Sequence, residues 1–256
     1  MQIVSLTTDF GVKDYYVAKL KAQLLSQKKD LNIVDVSHHI APYDIIEASF
    51  FIKNIYGHFP EGSIHIVAVN NVYKKKSEYL VIHREGQYYI GPNNGTFSLI
   101  FEDLTINEVY LINELNPQSY LYEDLYSRAV GYISAGLPIG EIGPHPEEFV
   151  QRLELKPVYN QNQIRATIIY VDHYENVIVN LKKEDFERIR QDRKFDIYYK
   201  QHDPINYLNR HYGDVAIGDP LAFFNSSGYL EIAINMGQAS SVFNLHRNEN
   251  IQINFY

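Results

Sequence analysis

The chain of 256 residues has no cysteine, no tryptophan and two methionines. Without cysteine there is no disulfide, no thiolate metal ligand and no thiol nucleophile. That usage fits a cytoplasmic protein. An N-terminus that enters a strand directly, with no basic segment and long apolar core, gives the same expectation. No run reaches the roughly 18 apolar residues of a membrane helix, so no membrane association is expected. Basic residues are in deficit, 23 Lys and Arg against 31 Asp and Glu, for a formal net charge of −8. A chain without a broad basic surface cannot neutralise phosphates, which excludes general nucleic-acid binding. The run Lys74-Lys75-Lys76 is too short to change this and reads as a solvated loop.

What is present is ordinary for a globular chain: 45% hydrophobic and 21% charged residues. The length suits one large domain or two smaller ones. Twenty-two tyrosines are a surplus. Tyrosine joins a flat apolar face to a polar tip, which suits strand and rim positions and can also line a nucleoside pocket.

Strand and helix patterns alternate over residues 1–150. "IVSL" is a short apolar strand, and Val17, Leu20 and Leu24 then recur at helical spacing. "LNIVDVSH" is a second strand. "PYDIIEASFFIKNIYGHF" is a helix in which Asp44 and Glu47 have capping-box spacing and Gly57 stands at a C′ position. "SIHIVAVN" is a strand, "EYLVIHREGQYYIGPNNG" a hairpin and a polar loop, "EVYLIN" a strand, and "YEDLYSRAVGYISAG" a helix closed by Gly136. This alternation predicts a mostly parallel sheet covered by helices. Gly- and Pro-rich "LPIGEIGPHPEE" and polar "KPVYNQNQ" read as a connection. Over 163–256, "IRATIIYVD" and "NVIVNL" flank a turn, "DPLAFFNSSGYLEIAIN" holds two strands about Ser226-Ser227-Gly228, and "NIQINFY" alternates. These short strands predict a smaller, all-β barrel domain.

The letters Asp9-Phe10-Gly11 spell the magnesium-binding tripeptide of protein kinases, but a kinase needs a glycine-rich loop, a strand lysine and an H-R-D loop upstream. Only eight residues precede Asp9. Asp9 instead ends a strand that leads into a helix, where ligands of open α/β sheets bind; capping the next turn is the plain structural alternative. Asp35, His38 and His39 invite a metal reading. Adjacent strand residues point to opposite faces, which works against both histidines ligating one ion. His145 and His173 stand in loops with no ligand spacing, and no metal or cofactor is expected.

The order of these motifs resembles the S-adenosyl-L-methionine (SAM) hydroxide adenosyltransferases, the group that includes the SAM-dependent fluorinase and chlorinase. The resemblance runs through "TTDFGVKDYYVAKLKAQL", "NIVDVSHHIAPYDIIEASFFI", "GPNNGTFSLI", "SAGLPIGEIG", "IIYVDHYENVIVNL" and "GDPLAFFNSSGYLEIAINMGQAS". It implies a homotrimer binding SAM or adenosine, with Asp9 accepting from the ribose hydroxyls, as a carboxylate with two acceptor oxygens can. Asp172 is implied at the methionine ammonium, Asn176 at an adenine edge or amino-acid head group, and Ser227 near the methionine carboxylate. Asn93, Asn94, Ser119 and Tyr174 complete the implied ligand positions.

The chain departs from the family at the chemistry. Where members carry the Asp and Arg of a D-P-G-V-G-T-x-R loop, this chain has Asn70 and Ser77, with Lys76 the nearest cation. Leu121 stands in the histidine position of a T-F-H-G-R-D sequence, and only Asp124 is kept, as a helix-start residue. Tyr229 replaces the arginine of an S-x-R-L-E sequence and offers no charged fork to a carboxylate. Losing general-base catalysis costs about 10²–10⁴ in rate. Yet methionine leaves a sulfonium as a neutral group and needs no acid, so in-line positioning and desolvation still count. The expectation is therefore a SAM- or adenosine-binding protein converting SAM and water to adenosine and methionine. The alternatives are an inactive nucleoside-binding homologue or an adenosyl transferase with another nucleophile.

Overall fold

The computed structural model describes residues 1–72, 77–112, 122–200 and 203–256. The chain divides into two compact units, Met1–Leu153 and Glu154–Tyr256.

The first unit contains β1 (Ile3–Thr8), α1 (Tyr16–Gln27), β2 (Asn32–Ser37), α2 (Ile45–Ile55), β3 (Ile64–Ala68), β4 (Tyr79–Arg84), β5 (Gln87–Pro92), α3 (Thr96–Ile100), β6 (Val109–Leu111) and α4 (Tyr122–Ser134). Its sheet runs β2-β1-β3-β5-β4-β6. The β1–β2, β1–β3 and β3–β5 pairs are parallel, while β4 is antiparallel to β5 and β6. A mostly parallel sheet needs cover on both faces. Leu20 and Leu24 of α1 and Leu125 and Ala129 of α4 cover one face, over Leu6, Ile64 and Ile66. Ala48 and Ile52 of α2 and Phe97 of α3 cover the other, over Val67, Leu80 and Ile82. β3 is accordingly buried along its whole length, which is why it reads "IHIVA" without alternation.

Local chemistry sets the boundaries. β4 and β5 are joined by Glu85-Gly86, both at positive φ (52° and 72°), the twist a two-residue hairpin prefers. Asp44 caps α2 by accepting from the Ile46 and Glu47 N–H groups. Glu47 does not close the expected box; its carboxylate accepts from Ala41 N–H at 3.1 Å, bracing the chain one turn earlier. Tyr56 is the C-cap of α2, so Gly57 does stand at C′, but without a left-handed φ: the chain tightens instead into a 3₁₀ turn over Tyr56–His58. α4 ends at Gly136, which has φ of 71° and donates its N–H to Ile133 O.

The second unit contains β7 (Val158–Tyr159), β8 (Gln163–Val171), β9 (Val177–Lys182), α5 (Lys183–Arg190), β10 (Phe195–Tyr198), β11 (Pro220–Phe224), β12 (Tyr229–Ile234), α6 (Ala239–Phe243) and β13 (Asn250–Phe255). The strands form one antiparallel path, β10-β13-β8-β9-β12-β11, with β7 added on β8. β8 is shared: Gln163–Thr167 pairs with β13 and Ile168–Val171 with β9, with a register shift between Ile168 and Tyr170. Such an irregularity bends a strand, and the sheet curls about a core that includes Ile164, Val179, Ile232 and Ile253.

The expected all-β barrel is corrected here to an open, curled sheet with helices. Closure would require β10 to pair with β11, and no such pairing occurs among the described residues. Phe186 of α5 stands at that opening. Its ring centroid lies 5.2 Å from that of Phe195 in β10 and 5.4 Å from that of Phe224 in β11.

Candidate functional site

The predicted site residues fall into two groups, one in each unit. In the first unit the strand ends of β1 and β3 are neighbours, and they bring Asp9 to Asn70. Asp9 Oδ2 accepts from the Tyr43 N–H at 3.0 Å and the Asn70 N–H at 3.1 Å. Both donors have left-handed backbones, Tyr43 at φ 67° and Asn70 at φ 51°. Non-glycine residues there cost of order 1–3 kcal/mol and persist only where surrounding bonds fix them. One carboxylate oxygen thus fixes two strained loops. Asp9 Oδ1 accepts no hydrogen bond among the described residues. Asp9 is half-buried, so a diol can reach this second oxygen.

Asn94 and Asn93 have tasks inside the unit. Asn94 donates to Val69 O (3.0 Å) and Asn70 O (3.2 Å) and accepts from Thr96 N–H and Oγ1–H. Every hydrogen-bonding position of that amide is engaged. It clamps the segment carrying Asn70. Asn93 donates to Glu78 Oε2 and Glu148 O and accepts from Val150 N–H. Gly91 of the same "GPNNG" has no room for a side chain, since a Cβ would lie 2.6 Å from Val67 O. The neighbouring Asn71 is buried between tyrosines: Tyr126 donates to its side chain, and Tyr79 to its carbonyl at 3.1 Å. Burial raises the phenols of Tyr122 and Tyr126 above their ordinary range, so both stay protonated donors. Sequence reasoning missed Tyr43, Asn71 and Tyr126.

Ser77 precedes β4, half-buried. Ser119, Leu121 and Lys74-Lys75-Lys76 lie outside the described residues. Asp124 is the third residue of α4 and accepts from Gln23, a helix-start role. β2 ends at Ser37, His38 turns inward and His39 outward. His38 Nδ1 is 2.9 Å from Thr8 Oγ1, and its Nε2 is 3.1 Å from Asp35 Oδ1 without hydrogen-bond alignment. Burial pushes the Asp35 carboxyl up, but Lys21 at 2.6 Å and His38 outweigh it, and the net shift is downward.

In the second unit the turn between β8 and β9 is built by Asp172. Its Oδ1 accepts from Tyr174 N–H (2.9 Å) and Asn176 N–H (2.8 Å), and its Oδ2 from Asn176 Nδ2 (3.1 Å). Asn176 is buried; Tyr174 is exposed. Ser227 lies in the β11–β12 turn, where Asn225 Oδ1 accepts from the Ser227 and Tyr229 N–H groups at 3.1 Å each. The Lys182 ammonium donates to Ser227 O at 2.7 Å and stands 3.4 Å from the Tyr229 ring centroid. A cation therefore lies beside the turn that lacks arginine. The two turns are connected through Tyr212 and Glu231, neither singled out from the sequence. The signal for Glu231 was there: a carboxylate within the apolar "YLEIAI".

A cleft of about 530 Å³ lined by Tyr159, Asn162, Arg188 and Arg193 contains none of the predicted residues. Arg193 there is structural, its guanidinium donating to Ile189 O, Arg190 O and Asn162 Oδ1.

A fold of this kind, a helix-covered parallel-rich sheet followed by a curled antiparallel one, has known counterparts. Residues 4–143 match the SAM hydroxide adenosyltransferase N-terminal domain, and residues 166–252 match the SAM hydroxide adenosyltransferase C-terminal domain. The chain belongs to the SAM hydroxide adenosyltransferase family. It is 26% identical to the (R)-S-adenosyl-L-methionine hydrolase of Methanocaldococcus jannaschii, over 99% of this chain and 96% of the relative. It is also 26% identical to the Thermus thermophilus protein of that name, over 96% of each. The fluorinase of an Actinoplanes species is 24% identical, over 95% of this chain and 94% of the relative. The crystal structure of an uncharacterized conserved protein from Thermotoga maritima has the same fold, with a TM-score of 0.85 over 99% of each chain and 24% identity.

Proposed function

We propose that this protein binds SAM or adenosine, and that the reaction it supports is conversion of SAM and water to adenosine and L-methionine. Water oxygen attacks the ribose C5′, the C5′–S bond breaks, its electron pair leaves with the thioether, and the water gives up a proton. The observation that carries the ligand reading is Asp9. One of its oxygens is used by two backbone N–H groups, and the other accepts nothing among the described residues. A half-buried free carboxylate oxygen at a strand end suits a vicinal diol. The (R)-S-adenosyl-L-methionine hydrolases among the relatives supply the reaction. Asp172, Asn176 and Ser227 are assigned to the amino-acid and base ends of the ligand, with Tyr174 at the exposed rim. Asn94 acts indirectly, by fixing the segment that carries Asn70, and Asn93 by tying its own loop to Glu78, Glu148 and Val150.

A second reading has its own observation. Asn70, whose N–H is 3.1 Å from Asp9 Oδ2, is an amide and cannot take the proton from water. On this reading the protein keeps a nucleoside and does not turn SAM over, or uses a nucleophile that needs no base. Incubation of the purified protein with SAM, followed by chromatography for adenosine and methionine, separates the readings. Equimolar adenosine and methionine support hydrolysis. Calorimetric binding without products supports the second reading. Neither binding nor products overturns both.

We further propose a homotrimer. Val12, Tyr15 and Tyr43 near Asp9, and Tyr174 and Met236 in the second unit, are more than half exposed, and large apolar groups clustered near a site are commonly covered by a partner.

A further inference from the structure

The second unit contains a hydrogen-bonded chain whose direction is fixed at both ends by carboxylates. Asn176 Nδ2 donates to Asp172 Oδ2 at 3.1 Å and to Tyr212 Oη at 3.1 Å. Tyr212 donates to Glu231 Oε1 at 2.5 Å, and Asn225 Nδ2 donates to Glu231 Oε2 at 3.1 Å. An ionised carboxylate only accepts, so the Asn176 nitrogen must face Asp172 and the Tyr212 proton must face Glu231. Tyr212 can then only accept from Asn176. Both amide protons of Asn176 are thereby used, and its Oδ1, which accepts nothing among the described residues, is the atom left for a ligand. Glu231 is 5% exposed and has no cation partner among the described residues. A buried carboxylate held only by neutral donors is costly, so its position calls for a task.

We infer that Tyr212 and Glu231 are positioning residues that turn Asn176 into an acceptor-only contact, so that the second unit selects a ligand amine over a ligand carbonyl. The inference rests on the proposed SAM or adenosine site. The shared chemistry is an N–H donor, which the ligand supplies either as the 6-amino group of adenine or as the α-ammonium of the methionine moiety. Asp172 beside Asn176 adds negative charge and no donor, which favours either source. Tyr212 is the gate of this selection. Remove its hydroxyl, and one Asn176 N–H is released to meet a ligand carbonyl.

The test uses the full-length protein and calorimetry with four probes: adenosine, inosine, SAM and 5′-methylthioadenosine. Inosine replaces the 6-amino group with a carbonyl; 5′-methylthioadenosine lacks the ammonium. Tyr212→Phe keeps the ring that packs edge-on against Phe223. It is expected to shrink the adenosine-over-inosine preference, or the SAM-over-5′-methylthioadenosine preference, about tenfold, the size of one buried hydrogen bond. The preference that shrinks identifies the amine. In Glu231→Gln the one remaining side-chain oxygen can serve Asn225 Nδ2 only by turning the new N–H toward Tyr212, which then loses its acceptor, and the variant is expected to act in the same direction. The Glu231→Gln, Asn225→Asp double variant restores a donor–acceptor match and is expected to recover the preference. In it, the new carboxylate at position 225 can still accept from the Ser227 and Tyr229 N–H groups. A purely structural role would lower affinity for all four probes equally. Unchanged preferences in Tyr212→Phe, or a uniform loss across the probes, overturn the inference and leave the proposed function standing. A wild-type protein that binds none of the probes overturns the proposed function and the inference with it.

Discussion

Asp9 holds two loops through one oxygen and, on the proposed function, meets the ligand through the other, and substitutions can separate the two roles. Asp9→Asn can keep one oxygen on the Tyr43 and Asn70 N–H groups and turn its NH₂ toward the ligand. Its melting temperature is expected to stay near wild type while adenosine affinity falls. Asp9→Ala removes both jobs: affinity falls by about 1.5–3 kcal/mol, as for a hydrogen bond to a charged group, and stability falls as well. Calorimetry and thermal melts on the two variants check this, and equal melting temperatures for both would remove the scaffold role. Asn70→Asp alone is not expected to restore hydrolysis, because residues that act as a unit are strongly non-additive. Asp35 carries a pH dependence of stability. Its carboxyl is lowered from 3.8, so the stability it contributes is present above that value and is lost as pH falls through its lowered one. Asp35→Asn should therefore flatten the acid limb of the melting curve.

At the scale of elements, two contacts set the architecture. Gly91 allows β5 to approach β3, since a Cβ there would meet Val67 O at 2.6 Å and the Phe97 ring at 3.0 Å. Gly91→Ala is expected to cost about 1–3 kcal/mol, as overpacking does, measured by denaturant unfolding. Phe186→Ala should cost about 3–5 kcal/mol, because the ring is fully buried among Phe195, Phe224 and Phe255. These same elements mark how far the sequence could be read. Strands bounded by turns were legible: the Asp172–Asn176 turn, the Ser227 turn and the β4–β5 hairpin all stand where alternation and turn residues placed them. α5 was not. Its eight residues are mostly charged, and Phe186 and Ile189 are its buried side chains, too short a pattern to stand out between strands. Barrel closure was illegible for a related reason, since it depends on which edges meet and not on any strand's own pattern. The β1-end carboxylate was visible as a strand-terminal Asp. The partners that occupy its Oδ2 come from backbone N–H groups 34 and 61 residues away, and backbone donors leave no mark on side-chain chemistry.

For the whole molecule, light scattering is expected to give three copies of the 29.8 kDa chain; a monomer that binds adenosine tightly would remove the trimer. Hydrolysis of SAM is expected to be absent or at least about two orders of magnitude slower than in a member with the Asp-Arg-His set intact. Turnover at the rate of such a member would place the proton acceptor elsewhere in this chain. The shared strand β8 has a further consequence, for the order of events during synthesis. Its second half pairs with β9, a few residues downstream, and β9, β12 and β11 follow as neighbours. Its first half waits for Asn250–Phe255, which inserts between β8 and β10. Local pairings form early and distant ones late. A ribosome-bound chain can thus assemble the β8-β9-β12-β11 ribbon while the edge of β8 lies open. For that interval the open edge is a template for pairing with another nascent chain. Pairing of β13 with β8 and β10 is the step that closes that edge.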